Sequence, residues 1–136
     1  MITPPVADEN VIFKLAEEFI NQTSRPVFLT GKAGTGKTTF LKHIKETTRK
    51  NTVIVAPTGV AAIHAGGTTI HSFFQLPFTP FIPEIQKGSE RSADMSDKYS
   101  LLKNLKIESE KRNLFRALEL LIIDEVSMVR CDVLDA

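Results

Sequence analysis

Tryptophan is absent from this 136-residue chain, tyrosine and cysteine each occur once, and neither sign of charge dominates. A lone cysteine, Cys131, excludes an internal disulfide and suits a reducing compartment, so the fold must rest on a buried apolar core. Lys and Arg number 17 against 16 Asp and Glu, a net charge of +1. The strongly basic footprint that would argue for nucleic acid on its own is therefore missing, and any such case must rest on motifs. No apolar run nears the ~18 residues of a membrane span, and the Met1 end lacks the basic-then-apolar pattern of a secretion signal. A cytoplasmic protein with no membrane partner is the simplest expectation, nucleoid-associated if the source is bacterial. His43, His64 and His71 are scattered without metal-ligand spacing, which argues against a metal site built from protein ligands alone.

What is present is ordinary for a globular protein. The chain is 42% hydrophobic and 24% charged, one domain's worth of residues with enough apolar side chains for a core. Periodicity predicts a helix over residues 8–21, with Asp8 and Glu9 in its first turn and Ile12, Leu15, Ala16 and Phe19 on one face. Residues 27–30 read as a short buried strand. A helix is expected over 37–49, with Phe40, Leu41 and Ile44 inward and Lys42, Lys45 and Glu46 outward. Val53-Ile54-Val55-Ala56 reads as a second strand, stopped by Pro57. Strand, helix and strand in this order predict a right-handed βαβ unit with parallel strands. Residues 77–110, with Pro77, Pro80 and Pro83 and then a polar stretch, read as a long surface excursion, partly disordered near 87–97. A helix returns over 113–119, with Leu114, Phe115 and Leu118 on one side. Leu120-Leu121-Ile122-Ile123 then forms a third strand.

The most specific local signal is Gly31-Lys32-Ala33-Gly34-Thr35-Gly36-Lys37-Thr38, which fits the phosphate-binding loop G-x-x-x-x-G-K-[ST] without a gap. Glycines let the backbone turn tightly, so that consecutive N–H groups face phosphate oxygens, and the following helix adds its own unsatisfied donors. The candidate nucleotide-binding set is Gly31, Ala33, Gly34, Thr35, Gly36, Lys37, Thr38 and Thr39. Lys37 can reach the β- and γ-phosphates, and the Thr38 hydroxyl can sit on Mg²⁺. The third strand ends in Asp124-Glu125, at the edge where ligands of an open α/β sheet bind. Asp124 can hold the same Mg²⁺, and Glu125 can orient or deprotonate an attacking water. Lys37 and Glu125 are thus the candidate catalytic residues, and Thr38 and Asp124 the candidate metal ligands.

Between the two lies Ala56-Pro57-Thr58-Gly59-Val60-Ala61-Ala62, then Gly66-Gly67-Thr68-Thr69-Ile70-His71-Ser72-Phe73-Phe74. Small residues and hydroxyls there suit sugar–phosphate contacts, and aromatic rings can stack on bases. The alternative makes Phe73 and Phe74 core residues of a short helix, which general burial preferences favour.

Three blocks in order, GKAGTGKTT at 31–39, APTGVAAIHAGGTTIHSFF at 56–74 and LLIIDEVSM at 120–128, resemble the petite-integration-frequency (PIF) family of DNA helicases, relatives of the RecD helicases in superfamily one. The resemblance implies an α/β phosphate-loop NTPase fold, a RecA-like parallel sheet with flanking helices. It places residues 1–136 in the N-terminal portion of the first motor domain. It also implies an ATP-driven motor moving five-prime to three-prime on single-stranded DNA, with ATP and Mg²⁺ held by Gly36, Lys37 and Thr38. Asp124 and Glu125 would serve hydrolysis. Pro57, Thr58, Gly59, Thr69, His71 and Ser72 would lie in the strand-contacting motifs.

Such helicases place a glutamine upstream of the loop to read adenine; Asn10, Asn21 and Gln22 are the amides available here. Their second RecA-like domain and arginine finger lie beyond the position of Ala136. That finger is worth ~10³–10⁵ in rate, so this chain alone is expected to hydrolyse ATP barely or not at all. In RecA-like sheets a later strand separates the loop strand from the Asp-Glu strand. An incomplete sheet with apolar edges prone to pairing between chains is therefore expected. Two other classes fit a phosphate loop, a kinase and a non-catalytic nucleotide-binding module. A kinase must exclude water, whereas Glu125 is suited to activating it.

Overall fold

The computed structural model describes residues 11–79, 81–82, 96–97 and 109–135. In chain order the elements are α1 (Val11–Gln22), α2 (Lys37–Thr47), β1 (Thr52–Ala56), α3 (Gly59–Ala65), β2 (Thr68–Thr69) and α4 (Ile70–Phe74). Then come β3 (Phe81–Ile82), β4 (Ser96–Asp97), α5 (Ser109–Ala117), β5 (Leu120–Ile123), a 3₁₀ turn at Val126–Met128 and α6 (Cys131–Asp135). Asp8 and Glu9 lie outside the described residues, as does most of the 77–110 excursion. Within that excursion β3 and β4 pair in parallel.

β1 is the centre of a parallel sheet ordered β2-β1-β5. Its residues Thr52 to Val55 stand opposite Leu120 to Ile123, and Val55 and Ala56 stand opposite Thr68 and Thr69. Side chains alternate faces along a strand, and here both faces are covered. Ile54 and Ile122 join Phe40, Ile44 and Ala65 on one side, with Phe13, Ala16 and Ile20 of α1 packed against them. Val55 joins Ile70 and Phe73 on the other, with Val53, Phe115, Leu118 and Ile123 packed around. The result is helix, sheet and helix in three layers, the arrangement a continuous apolar strand demands. Phe73 is buried and Phe74 half-buried, so the core reading of those rings holds.

Four expectations need correcting. Residues 27–30 form no strand, and Val27 and Phe28 are 43% and 76% exposed. A strand exists only through ladder bonds to a neighbour, and no described strand runs beside this segment. The parallel partners of β1 are accordingly β2 and β5, not the run before the phosphate loop. Helix α1 uses a different face: Phe13, Ala16 and Ile20 meet the core, whereas Ile12, Leu15 and Phe19 are exposed. Its rotation is set by Phe13 against Phe40, ring centroids 4.7 Å apart, and by bonds to α2. Glu17 accepts from the Thr47 hydroxyl at 2.9 Å, and Thr48 donates to the Asn21 side-chain carbonyl at 2.7 Å. In α5, which starts four residues earlier than expected, Phe115 packs inward while Leu114 is exposed.

Candidate nucleotide-binding site

The loop from Gly31 to Gly36 needs two residues in the left-handed region, and both are glycines: Gly34 at φ 77° and Gly36 at φ 84°. Any other side chain would be strained there. Thr35 donates its hydroxyl to the Lys32 carbonyl at 2.9 Å, tightening the turn. The Lys37 ammonium lies across the loop, donating to the carbonyls of Gly31 and Lys32 at 2.9 Å each. Helix α2 begins directly at Lys37, with Gly36 as its N-cap and no side chain capping it. That differs from α3 and α4, where the Thr58 and Thr69 hydroxyl oxygens accept N–H bonds from Ala61 and Ser72, both at 3.2 Å. Helix starts leave several N–H groups without partners. At α2 no side chain occupies them, which is the condition for receiving an anion.

The acid pair reaches the loop through the sheet. Asp124 continues the ladder past β5, its N–H donating to the Val55 carbonyl at 2.9 Å. Its carboxylate accepts from the Thr38 hydroxyl at 3.3 Å, across 86 positions of sequence. The second oxygen accepts the Glu125 N–H at 2.9 Å. Glu125 has φ 51° and ψ 41°, a left-handed conformation uncommon for a non-glycine residue and one that costs about 1 kcal/mol or more. Such outliers gather at functional sites.

Thr38, Thr58, Val60, Ala61, His64, Asp124, Glu125 and Met128 line one cleft at this edge. Four of these were not anticipated: Val60, Ala61, His64 and Met128. The first three recur at helical spacing along α3, which was a readable signal once α3 was placed beside the acids. Met128 arrives through the 3₁₀ turn that follows Glu125, which no local pattern announced. Of the other expected residues, Ala33 and Thr39 are exposed on the loop and on the first turn of α2. Pro57 and Gly59 flank the Thr58 cap, and Thr69, His71 and Ser72 surround the start of α4. Lys111 of α5 donates to the Ser72 carbonyl at 3.0 Å, tying that end of α4 down. Asn21 is engaged with Thr48, and Asn10 lies outside the described residues.

The family model described as PIF1-like helicase matches residues 6–136. This chain belongs to the PIF1-like helicase family. It is 36% identical over 117 residues to the ATP-dependent DNA helicase PIF1 of Danio rerio, a match covering 83% of this chain and 15% of that protein. To the Pif1 helicase of Campylobacter jejuni it is 32% identical over 112 residues, covering 80% and 23%. Among solved structures it is similar to Bacteroides sp Pif1 in complex with ADP-AlF4, with 41% identity and a TM-score of 0.70 over 99% of this chain and 26% of that one. Bacteroides Pif1 bound to ssDNA superposes with a TM-score of 0.67 at 40% identity, over 98% of this chain and 26% of that one. The PIF1-like segment therefore has the phosphate-loop NTPase fold of helicase motor domains, and it spans about a quarter of those solved chains.

Proposed function

We propose that this chain is the ATP-binding part of an ATP-dependent DNA helicase that moves five-prime to three-prime along single-stranded DNA. The observation that carries the reading is the Thr38–Asp124 hydrogen bond, which joins the phosphate loop and the acid pair into one site. In this reading the N–H groups of residues 31–39 and the Lys37 ammonium receive the β- and γ-phosphates, whose oxygens replace the loop carbonyls as lysine acceptors. Thr38 and Asp124 supply two hard oxygens side by side, the donor set Mg²⁺ accepts together with phosphate and water. Among the described residues no cluster of three or more His, Cys, Asp or Glu side chains offers a competing metal site. Bound there, Mg²⁺ would neutralise charge on the transferring phosphoryl group. Glu125, lining the same cleft, accepts the proton of the attacking water.

Thr58 lines that cleft and caps α3, so a residue of the expected DNA-side motif borders the hydrolysis site directly. Pro57, Gly59, Thr69, His71 and Ser72 extend the strand-contacting set from there. A hydroxyl that accepts a capping N–H bond can still donate its own proton to a phosphate, so capping and DNA contact are compatible at Thr58 and Thr69. β5 pairs on one side only among the described strands, and with the unladdered segment 27–30, where Val27 and Phe28 are exposed and Leu29 packs on the core, it gives a chain of this length edges that pair with a second copy. Among the described residues no helix is long and apolar enough to cross a membrane. A helicase of this kind would work on nucleic acid in the cytoplasm.

The test has two arms. For this chain, Mg-ATP at ~100 times Kd should add ~2.7 kcal/mol to stability in a thermal shift, and Lys37→Ala should abolish the gain. For the full-length protein, single-stranded DNA should stimulate ATP hydrolysis and Glu125→Gln should remove it. A full-length protein that ignored DNA yet phosphorylated a small acceptor would end the helicase reading.

A further inference from the structure

Helix α1 runs beside α2 in the same direction, and its contacts follow that helix in order. Phe13 meets Phe40, Glu17 meets the His43 ring and the Thr47 hydroxyl, and Asn21 meets Thr48. The Lys50 ammonium donates to the Ile20 and Thr23 carbonyls at 2.6 Å each, fixing the C-terminal end of α1. At the other end the half-buried Phe13 ring does more than pack on Phe40. A Cβ built on Gly36 would lie 4.0 Å from Phe13 Cζ, so the tip of the ring stands against the last glycine of the phosphate loop. Gly36 is the N-cap of α2, and its carbonyl accepts the Phe40 N–H at 2.9 Å. Phe13 therefore braces the joint at which loop becomes helix.

The loop has use for such a brace. Its internal bond from Thr35 to the Lys32 carbonyl and its two left-handed glycines fix its shape, but not its place on the body. A laddered strand before the loop would fix that place, and residues 27–30 form none among the described residues. Leu29 packs on the same apolar cluster as Phe13, so one layer of side chains joins the approach to the loop with its exit. Resting on the nucleotide-binding reading above, we propose that Phe13 is a positioning residue for the phosphate loop. Its ring holds Gly36 so that the N–H groups at the start of α2 stand ready for the β- and γ-phosphates. The ring acts through Gly36, by raising the fraction of molecules whose loop is in place, and the apparent Kd scales inversely with that fraction. Once bound, the phosphates hold the loop themselves. The loss on removing the ring is then shared by ground state and transition state, and turnover at saturation is spared.

The test uses the full-length protein, a fluorescent ATP analogue for Kd, and DNA-stimulated hydrolysis for KM and kcat. Phe13→Ala should raise Kd and KM about tenfold, the effect of a loop in place a tenth of the time, and leave kcat within about twofold. Phe13→Leu still fills space against Phe40 but stops short of Gly36. It should raise Kd about threefold, and it carries the test if the alanine variant does not fold. Ile20→Ala removes apolar bulk from the same cluster about two turns further along α1, and should lower the melting temperature while leaving Kd unchanged. Unchanged Kd in the Phe13 variants overturns the proposal. So does an equal rise in Ile20→Ala, which would make the effect one of general stability, and so does a fall in kcat with Kd unchanged. Failure of the unsubstituted protein to bind the analogue overturns the nucleotide-binding reading as well. Hydrolysis indifferent to DNA ends the helicase reading alone, because the Kd comparison still decides the role of Phe13.

Discussion

Residues 53–56 and 27–30 are two short, mostly apolar runs, each followed by a turn or loop and then a helix, and they end in opposite conditions. In the first, Ile54, Val55 and Ala56 are fully buried between two parallel neighbours. In the second, Leu29 packs against the core, but Val27 and Phe28 are exposed and no ladder forms. β-forming residue types describe a surface that fits a sheet, not a sheet. A run becomes a strand only where hydrogen-bonding edges stand on offer and helices cover its faces. The phosphate loop, joined to the poorly covered run, nevertheless keeps its turn, because its geometry rests on local bonds and two left-handed glycines rather than on the ladder.

The sharpest way to probe this contrast is Gly67→Ala. A methyl group there would collide with the Ile54 carbonyl of β1, a backbone atom with no rotamer to yield. We expect a loss of about 4 kcal/mol or more, or failure to fold, in chemical denaturation. Next, Ile54→Ala should cost about 2–5 kcal/mol, whereas Phe28→Ala should stay within about 0.5 kcal/mol. Equal costs would break the comparison, showing that 27–30 is covered in solution. A smaller effect should come from Glu125→Asn. Asparagine tolerates the left-handed region, so the variant should gain a few tenths of a kcal/mol up to about 1 kcal/mol while losing hydrolysis in the full-length protein.

The smallest effect concerns how α1 is held. Hydrogen bonds from the Thr47 hydroxyl and then the His43 ring lower the Glu17 carboxyl below its ordinary range. A carboxyl acidified by folding stabilises above its unfolded value and loses that contribution as pH falls through the lowered one. Protection of the α1 amides, measured against their intrinsic exchange rates at each pH, should therefore fall on acidification below the ordinary carboxylate range. Glu17→Gln should remove that pH dependence.

How far the chain could be read in advance divides along the same physical line. The tight turn at 31–36 and the meeting of Thr38 with Asp124 were legible because the motifs expected there prescribe particular residue types at fixed short spacings. β1, β5 and the burial of Phe40 and Ile44 were legible because apolar period and composition left little choice. The face of α1 was not: residues 12, 15, 16 and 19 and residues 13, 16 and 20 both satisfy helical spacing, and only contact with Phe40, Thr47 and Thr48 selects between them. Nor could spacing announce that His64 and Met128 would share a cleft with Glu125, or that Lys111 would hold the end of α4.

Local order in the chain dictated which atoms could grip a phosphate, since backbone turns and side-chain chemistry there depend on residues a few positions apart. Whether those atoms meet their partners depended on packing between distant segments. Thr38 touches Asp124 because β1 sets the register of β5, and 27–30 stays unladdered because no described strand runs beside it. Such pairings are settled by burial and hydrogen-bond closure across the whole fold, and no short stretch of residues carries that information.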